Sequence, residues 1–225
     1  MRNRCAALCF AVGSLAALSA AAQTPPPSPP EISFLADAVA ASGVTAHGKV
    51  AWFAVAREID DSVATIVRRS EVVEDSDGDG QVTFAIGGEV PWQSIWVAVD
   101  LATGLWSAAT PEDYPLRWMN GADASIAEHT DGKPALGVLL HGYLDILVAR
   151  PQVGAWTQTV GDGGAGDLDT LDGQVRVQPG QMLATVGTTA PAPEDFVPGD
   201  LIVSIDPNNM EIAVNQVPQS EESGQ

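Results

Sequence analysis

Three aspartates stand on alternate residues in EDSDGDGQVTF (74–84): Asp75, Asp77 and Asp79, followed at once by Gly80. Carboxylates at this spacing on a tight loop can turn their oxygens toward one point. A hard divalent cation takes six to eight oxygens at about 2.4 Å. Three like charges within five residues repel one another, and a bound cation removes that repulsion. Gly80 tolerates the sharp turn. The spacing therefore predicts cation binding by Asp75, Asp77 and Asp79. The bland alternative is an acidic turn, because Asp and Gly suit any hairpin tip. A second stretch, GDGGAGDLDTLDGQV (161–175), keeps acids at Asp167, Asp169 and Asp172 but loses the regular spacing, and reads as a weaker site of the same kind.

The D-x-D-x-D-G run resembles the first half of an EF-hand loop. There, positions 1, 3 and 5 give side-chain oxygens, position 6 is Gly and position 7 gives a carbonyl. The resemblance implies calcium as the cofactor, with the backbone carbonyl of Gln81 at position 7 as a further ligand, and it stops half-way. Position 12, a bidentate Glu in EF-hands, is Ile86, and position 9 is Thr83. Strand-like EVVE and QVTFAI flank the loop in place of helices. The expectation is a calcium loop carried on a β-hairpin.

Other chemistry finds less support. His47, His129 and His141 are the only histidines, and H-E-x-x-H and G-x-S-x-G spacings are absent. His47 and His141 each precede a strand-like run and read as turn residues. Gly161, Gly163 and Gly166 have dinucleotide-loop spacing, but no helical pattern follows and neighbouring aspartates would repel a pyrophosphate. With 29 acidic residues a carboxylate pair for glycoside hydrolysis can be imagined anywhere. A secreted hydrolase is thus an alternative without designated residues, and the chain is read as non-enzymatic. Trp52 and Trp96 lie in apolar runs and are expected in the core. Trp92, Trp106 and Trp118 sit near turns, where packing is the simpler role. Exposed Trp92 or Trp118 stacking on sugar rings would make a carbohydrate-binding module, the second alternative.

The elements that must position these residues read as strands. KVAWFAVARE (49–58), SVATIVRRSEVVE (62–74), QVTFAI (81–86), SIWVAVDL (94–101) and GLWSAA (104–109) are β-branched or alternating runs bounded by Gly, Pro, Asp and Asn. Alanine content alone argues for one short helix in LADAVAAS (35–42). The order of runs recurs. Ala56-Arg57 matches Ala149-Arg150, and DGQV occurs at 79–82 and 172–175, both at a shift of 93. His47-Gly48 matches His141-Gly142 at 94, and SIWVAVDLATG resembles DLIVSIDPNNM at 106. These matches predict an internal duplication.

The N-terminus has a basic start, an apolar stretch and small residues at Ala20 and Ala22, the pattern of a secretory signal over residues 1–22. Its removal takes both cysteines and two arginines, leaving 8 basic against 29 acidic residues, a net charge of −21. Such a surface repels nucleic acid and anionic lipid and attracts cations. No later run is long enough to span a membrane. Proline-stiffened TPPPSPP places a linker over 23–30, followed by modules at 31–115 and 116–218 and a disordered tail at 219–225. In size and strand pattern the modules resemble immunoglobulin-like or fibronectin III-like units of secreted bacterial proteins, without the Cys…Trp…Cys hallmark. The fold class expected is all-β, two tandem immunoglobulin-like β-sandwiches. The expected role is a secreted or periplasmic, non-catalytic binding or cell-surface module, stabilised by calcium, with a protein or glycan partner.

Overall fold

A computed structural model describes residues 27–60, 63–120, 124–128, 133–139, 143–161, 169–171, 174–177, 184–187 and 192–218. The protein is all-β: among the described residues every regular element is a strand. In the first half, β1 (Glu31–Phe34), β2 (Ala38–Ser42) and β5 (Gln81–Ala85) form sheet A in the order β1-β2-β5. Sheet B has the order β4-β3-β6-β7, with β3 (Lys49–Asp60), β4 (Val63–Glu74), β6 (Ser94–Asp100) and β7 (Trp106–Ala109). In the second half, β9 (Ala124–Glu128), β10 (Pro134–Leu139), β13 (Asp169–Leu171) and β14 (Gln174–Val177) form sheet D, ordered β13-β14-β10-β9. Sheet C takes β8 (Arg117–Trp118), β11 (Tyr143–Arg150), β12 (Gly154–Gly161), β15 (Ala184–Val186), β16 (Leu201–Asp206) and β17 (Glu211–Gln216), in the order β15-β12-β11-β16-β17-β8. Among the described residues every pairing is antiparallel except the short β17–β8 contact.

The sheets stack in four layers, A on B on C on D. Trp52, Ala54, Trp96 and Ala98 of sheet B pack on Val39, Ala41, Val82 and Phe84 of sheet A. The opposite face of sheet B carries Phe53, Val55, Ile95, Val97 and Val99. It meets Leu147, Ala149, Leu201, Val203 and Ile205 of sheet C. The far face of sheet C, with Ile146, Val148, Trp156 and Ile202, packs on Leu136 and Ala124 of sheet D. This explains the uninterrupted apolar run of β6: all seven of its residues are buried because both faces are covered. The two halves are therefore fused by an apolar seam of their own and are not beads joined by a linker.

Residues 35–42 are not helical. Val39 and Ala41 are fully buried on one face of β2, which lies hydrogen-bonded between β1 and β5. Alanine there keeps sheets A and B close; its period is two, and tertiary pairing overrides its helix propensity.

The strand orders of the halves correspond, β1-β2-β5 to β9-β10-β14 and β4-β3-β6-β7 to β12-β11-β16-β17. The ladder Ala51↔Val99 and Ala54↔Trp96 maps onto Asp145↔Ile205 and Val148↔Ile202. That register requires a shift of 94 for the first strand and 106 for the second. The Ala-Arg match lies at 93, and under this alignment of the ladders it sets residues of opposite faces side by side. Val55 and Ala149 are the counterparts, and both lie in the B–C seam.

Candidate metal centre

The acidic loop is not a hairpin tip. β4 ends at Glu74 in sheet B and β5 begins at Gln81 in sheet A, so the loop arches from one sheet to the other. Residues 43–48, between β2 and β3, make the same crossing in reverse. The two arches are hydrogen-bonded side by side: Val44 N donates to Gly80 O (3.2 Å) and Asp75 N donates to Gly48 O (2.9 Å). Turn chemistry is the same in hairpins and arches, so Asp and Gly could not distinguish them; the partner of the outgoing strand does.

Asp75 sits at the foot of the arch and is 1% exposed. Its Oδ2 accepts from the N–H groups of Gly80 (3.0 Å) and His47 (3.2 Å), and its Oδ1 from that of Gly78 (3.0 Å). Asp77 Oδ1 accepts from Asp79 N (3.5 Å), and Asp79 Oδ1 from Gln81 N (2.8 Å), so each coils the chain around its own carboxylate. Gly78 and Gly80 adopt φ of +76° and +79°. A Cβ on Gly78 would come within 2.5 Å of the His47 imidazole, so ring and glycine are in direct contact. His47, with φ of +55°, is thus a turn residue in the neighbouring arch, as its sequence context predicts.

Carboxylate oxygens of Asp75, Asp77 and Asp79 all lie within 4.8 Å of one another, and this triad can hold a metal ion. Burial pushes the Asp75 carboxyl up, but hydrogen bonds from the backbone N–H groups of Gly80, Gly78 and His47 outweigh it, and it sits below its usual range. It is held ionised, as a ligand must be. An ionised carboxylate has about four lone-pair positions. Three are taken by backbone N–H groups, which leaves one on Oδ1 for a cation. Asp77 and Asp79 are exposed and can close on an ion without a burial penalty. Gln81 opens β5 opposite Ser42, directly after the triad.

Of the weaker second set, Asp167 and Asp172 lie outside the described residues, as do His129 and His141. The Asp169 backbone begins β13 opposite Arg176, and its side chain lies outside the described set. Trp52 and Trp96 are core residues as expected, in edge contact at 6.4 Å. Trp156 is buried as well. Trp92 is 61% exposed and edge-on to Tyr114 at 5.8 Å; Trp118 is 55% exposed and meets Trp106 at 6.4 Å.

Two ion pairs escape sequence reasoning because their partners are distant in the chain. Arg68 Nε on β4 pairs with buried Asp145 on β11, across the B–C seam. Arg150 grips fully buried Asp200 with two bonds of 2.8 Å, which raises the Arg150 pKa through that hydrogen bond despite burial. An unbroken apolar run interrupted by one charge, as in YLDILVAR, is the signal that marks Asp145. Compared with family models, curated proteins and solved structures, the chain matches none.

Proposed function

We propose that the protein is a secreted, non-catalytic binding or cell-surface structural module whose first half is rigidified by calcium at Asp75, Asp77 and Asp79, with the Gln81 carbonyl as a further ligand. The observation that carries this reading is the convergence of three carboxylates on an arch between two sheets. An all-oxygen donor set on a pliant loop suits calcium better than magnesium, which demands near-ideal octahedral geometry. An ion there would staple sheet A to sheet B at the open end of the sandwich. The order β1-β2-β5 against β4-β3-β6-β7 supports an immunoglobulin-like topology, with strands A, B and E facing C, F and G and one added edge strand. The matching order of the second half supports an ancestral duplication. The test is a thermal melt with ~1 mM calcium against a chelator. At a Kd of ~10⁻⁴ M, binding stabilises by about 1.4 kcal/mol, a rise of roughly 3–6 °C for a chain of this size. A melt indifferent to calcium removes the reading.

The exposure of Trp92 and Trp118 favours one second reading, sugar stacking on a surface platform. Loss of glycan-array binding in Trp92→Ala or Trp118→Ala would favour it; no glycan retained by the intact protein would end it.

A further inference from the structure

The edges of the four sheets are unequal. β4, at the edge of sheet B, is 12 residues long, whereas every other edge strand among the described residues has two to five. An open edge presents unpaired N–H and C=O groups to any extended chain, and short strands, proline and bulges are the usual ways of blunting it. β4 uses none of these. It pairs with β3 without a break in register from Val63↔Asp60 to Glu74↔Lys49, and it contains neither proline nor glycine. Sheets A and C touch β4 through its side chains: Arg69 Nη1 donates to Ile86 O (3.4 Å), Arg68 pairs with Asp145, and Gly187 rests on Val72. On the side away from β3, no strand lies along its backbone among the described residues.

The residues of β4 select the chain that pairs there. The protein as a whole is strongly acidic, so its copies repel. β4 by contrast is balanced, with Arg68 and Arg69 against Glu71 and Glu74. Val67, Arg69, Glu71 and Val73 face sheet A, and Ile66, Arg68, Ser70 and Val72 face sheet C. Two copies joined edge to edge in antiparallel fashion are related by a two-fold axis normal to the sheet. That axis carries each face onto itself, so a residue can lie opposite only one from its own face. An axis at Arg68, Arg69 or Glu71 sets a charge against its own copy, which is destabilising. One at Val67 leaves Arg69 and Glu71 without an opposite charge, and one at Val72 keeps only the last residues of the strand in the ladder. An axis at Ser70 places residues 66–74 in the ladder. It sets Arg69 opposite Glu71 and Val67 opposite Val73, each pair made twice. We propose that β4 is the interface of a homodimer, in which the four-stranded sheets B of two copies join into one continuous sheet about an axis at Ser70.

Sedimentation equilibrium of the full chain tests this from ~5 to ~500 µM, a range that covers weak self-association. Chelator is present throughout, so the metal site plays no part. The mass should rise to twice that of one chain within the range. Ser70→Lys puts two ammonium groups at the axis, and Glu71→Arg faces Arg69 with a second guanidinium. Both positions are exposed, and each change should raise the dissociation constant at least tenfold while the circular dichroism spectrum stays the same. Arg69→Glu/Glu71→Arg exchanges the two charges and should restore the dimer, as an axis at Ser70 requires. Trp92→Ala/Trp118→Ala should leave it intact. A monomer throughout the range overturns the proposal, whatever other extended segment β4 accepts. A dimer that persists in both Ser70→Lys and Glu71→Arg places the contact elsewhere and overturns it too, as does a folded exchange variant that stays monomeric.

Discussion

Cutting the chain between its halves is the sharpest test of the four-layer arrangement. Residues 27–115 alone would keep the core between sheets A and B but lose the cover of sheet C. Phe53, Val55, Ile95, Val97, Val99 and Leu101 line the seam face of that half. Full burial of such a side chain contributes roughly 1.5–3 kcal/mol. Each is already sheltered by its own sheet, so about half of that is lost on separation, a total of roughly 5–9 kcal/mol, itself an upper estimate. A whole domain is stable by about 5–15 kcal/mol. The loss is comparable to the margin, and the bared face is a contiguous apolar patch of the kind that drives association. The isolated half should dimerise or aggregate in size-exclusion chromatography with light scattering. The intact chain should unfold in urea as one transition. Val97→Asp in the intact chain, which buries a charge without cutting, should lower the urea midpoint sharply. A monomeric isolated half with the midpoint of the whole chain would refute the reasoning.

The remaining expectations concern single side chains. Asp77→Ala/Asp79→Ala should abolish any calcium-induced rise in melting temperature while leaving the chelated melt nearly unchanged. Asp75 has a folded pKa below its ordinary 3.8, so its contribution to stability is full above that value and is lost as pH falls through the lower folded value. Asp75→Asn should therefore be destabilising at pH 7 and converge on the parent once pH has fallen through the lowered folded value, followed by melts across pH. Asp200→Ala leaves Arg150 without its buried partner and should cost about 3–5 kcal/mol. Breaking the Lys133–Asp195 pair, about half exposed on both sides, should cost less than about 1 kcal/mol. Gly78→Ala combines a φ of +76° with a clash against His47 and should destabilise by more than about 1 kcal/mol in urea unfolding.

Strands were legible where side chains alternate strongly or run apolar without a break. QVTFAI names its buried face, with Val82 and Phe84 inward, and SIWVAVD announces a strand covered on both sides. LADAVAAS defeats the same method, since alanine fits either face and carries no contrast between periods of two and 3.6. The triad was legible because its three ligands are local. Its place on an arch was not, because β4 and β5 find partners in different sheets and no turn residue records that choice. The Arg68–Asp145 pair joins positions 77 residues apart, so its geometry exists only once the two halves have met. Short matches such as Ala-Arg carry no register, since identity of two small motifs says nothing about which face each residue takes.

Both cysteines lie at positions 5 and 9, so the folded layers hold together without a disulfide. The seam then sets the timetable on which the backbone opens. Amides in the middle of β3, β6, β11 and β16 are sheltered from above and below, and should exchange with deuterium only when the entire stack comes apart. Sheet A, whose outer face meets solvent at alternate residues of β5, should exchange earlier by local opening. Proteases that need an extended segment would likewise wait on one global event for the inner strands. The molecule's lifetime is then governed by a single slow rate constant, placed in the two sheets farthest from water.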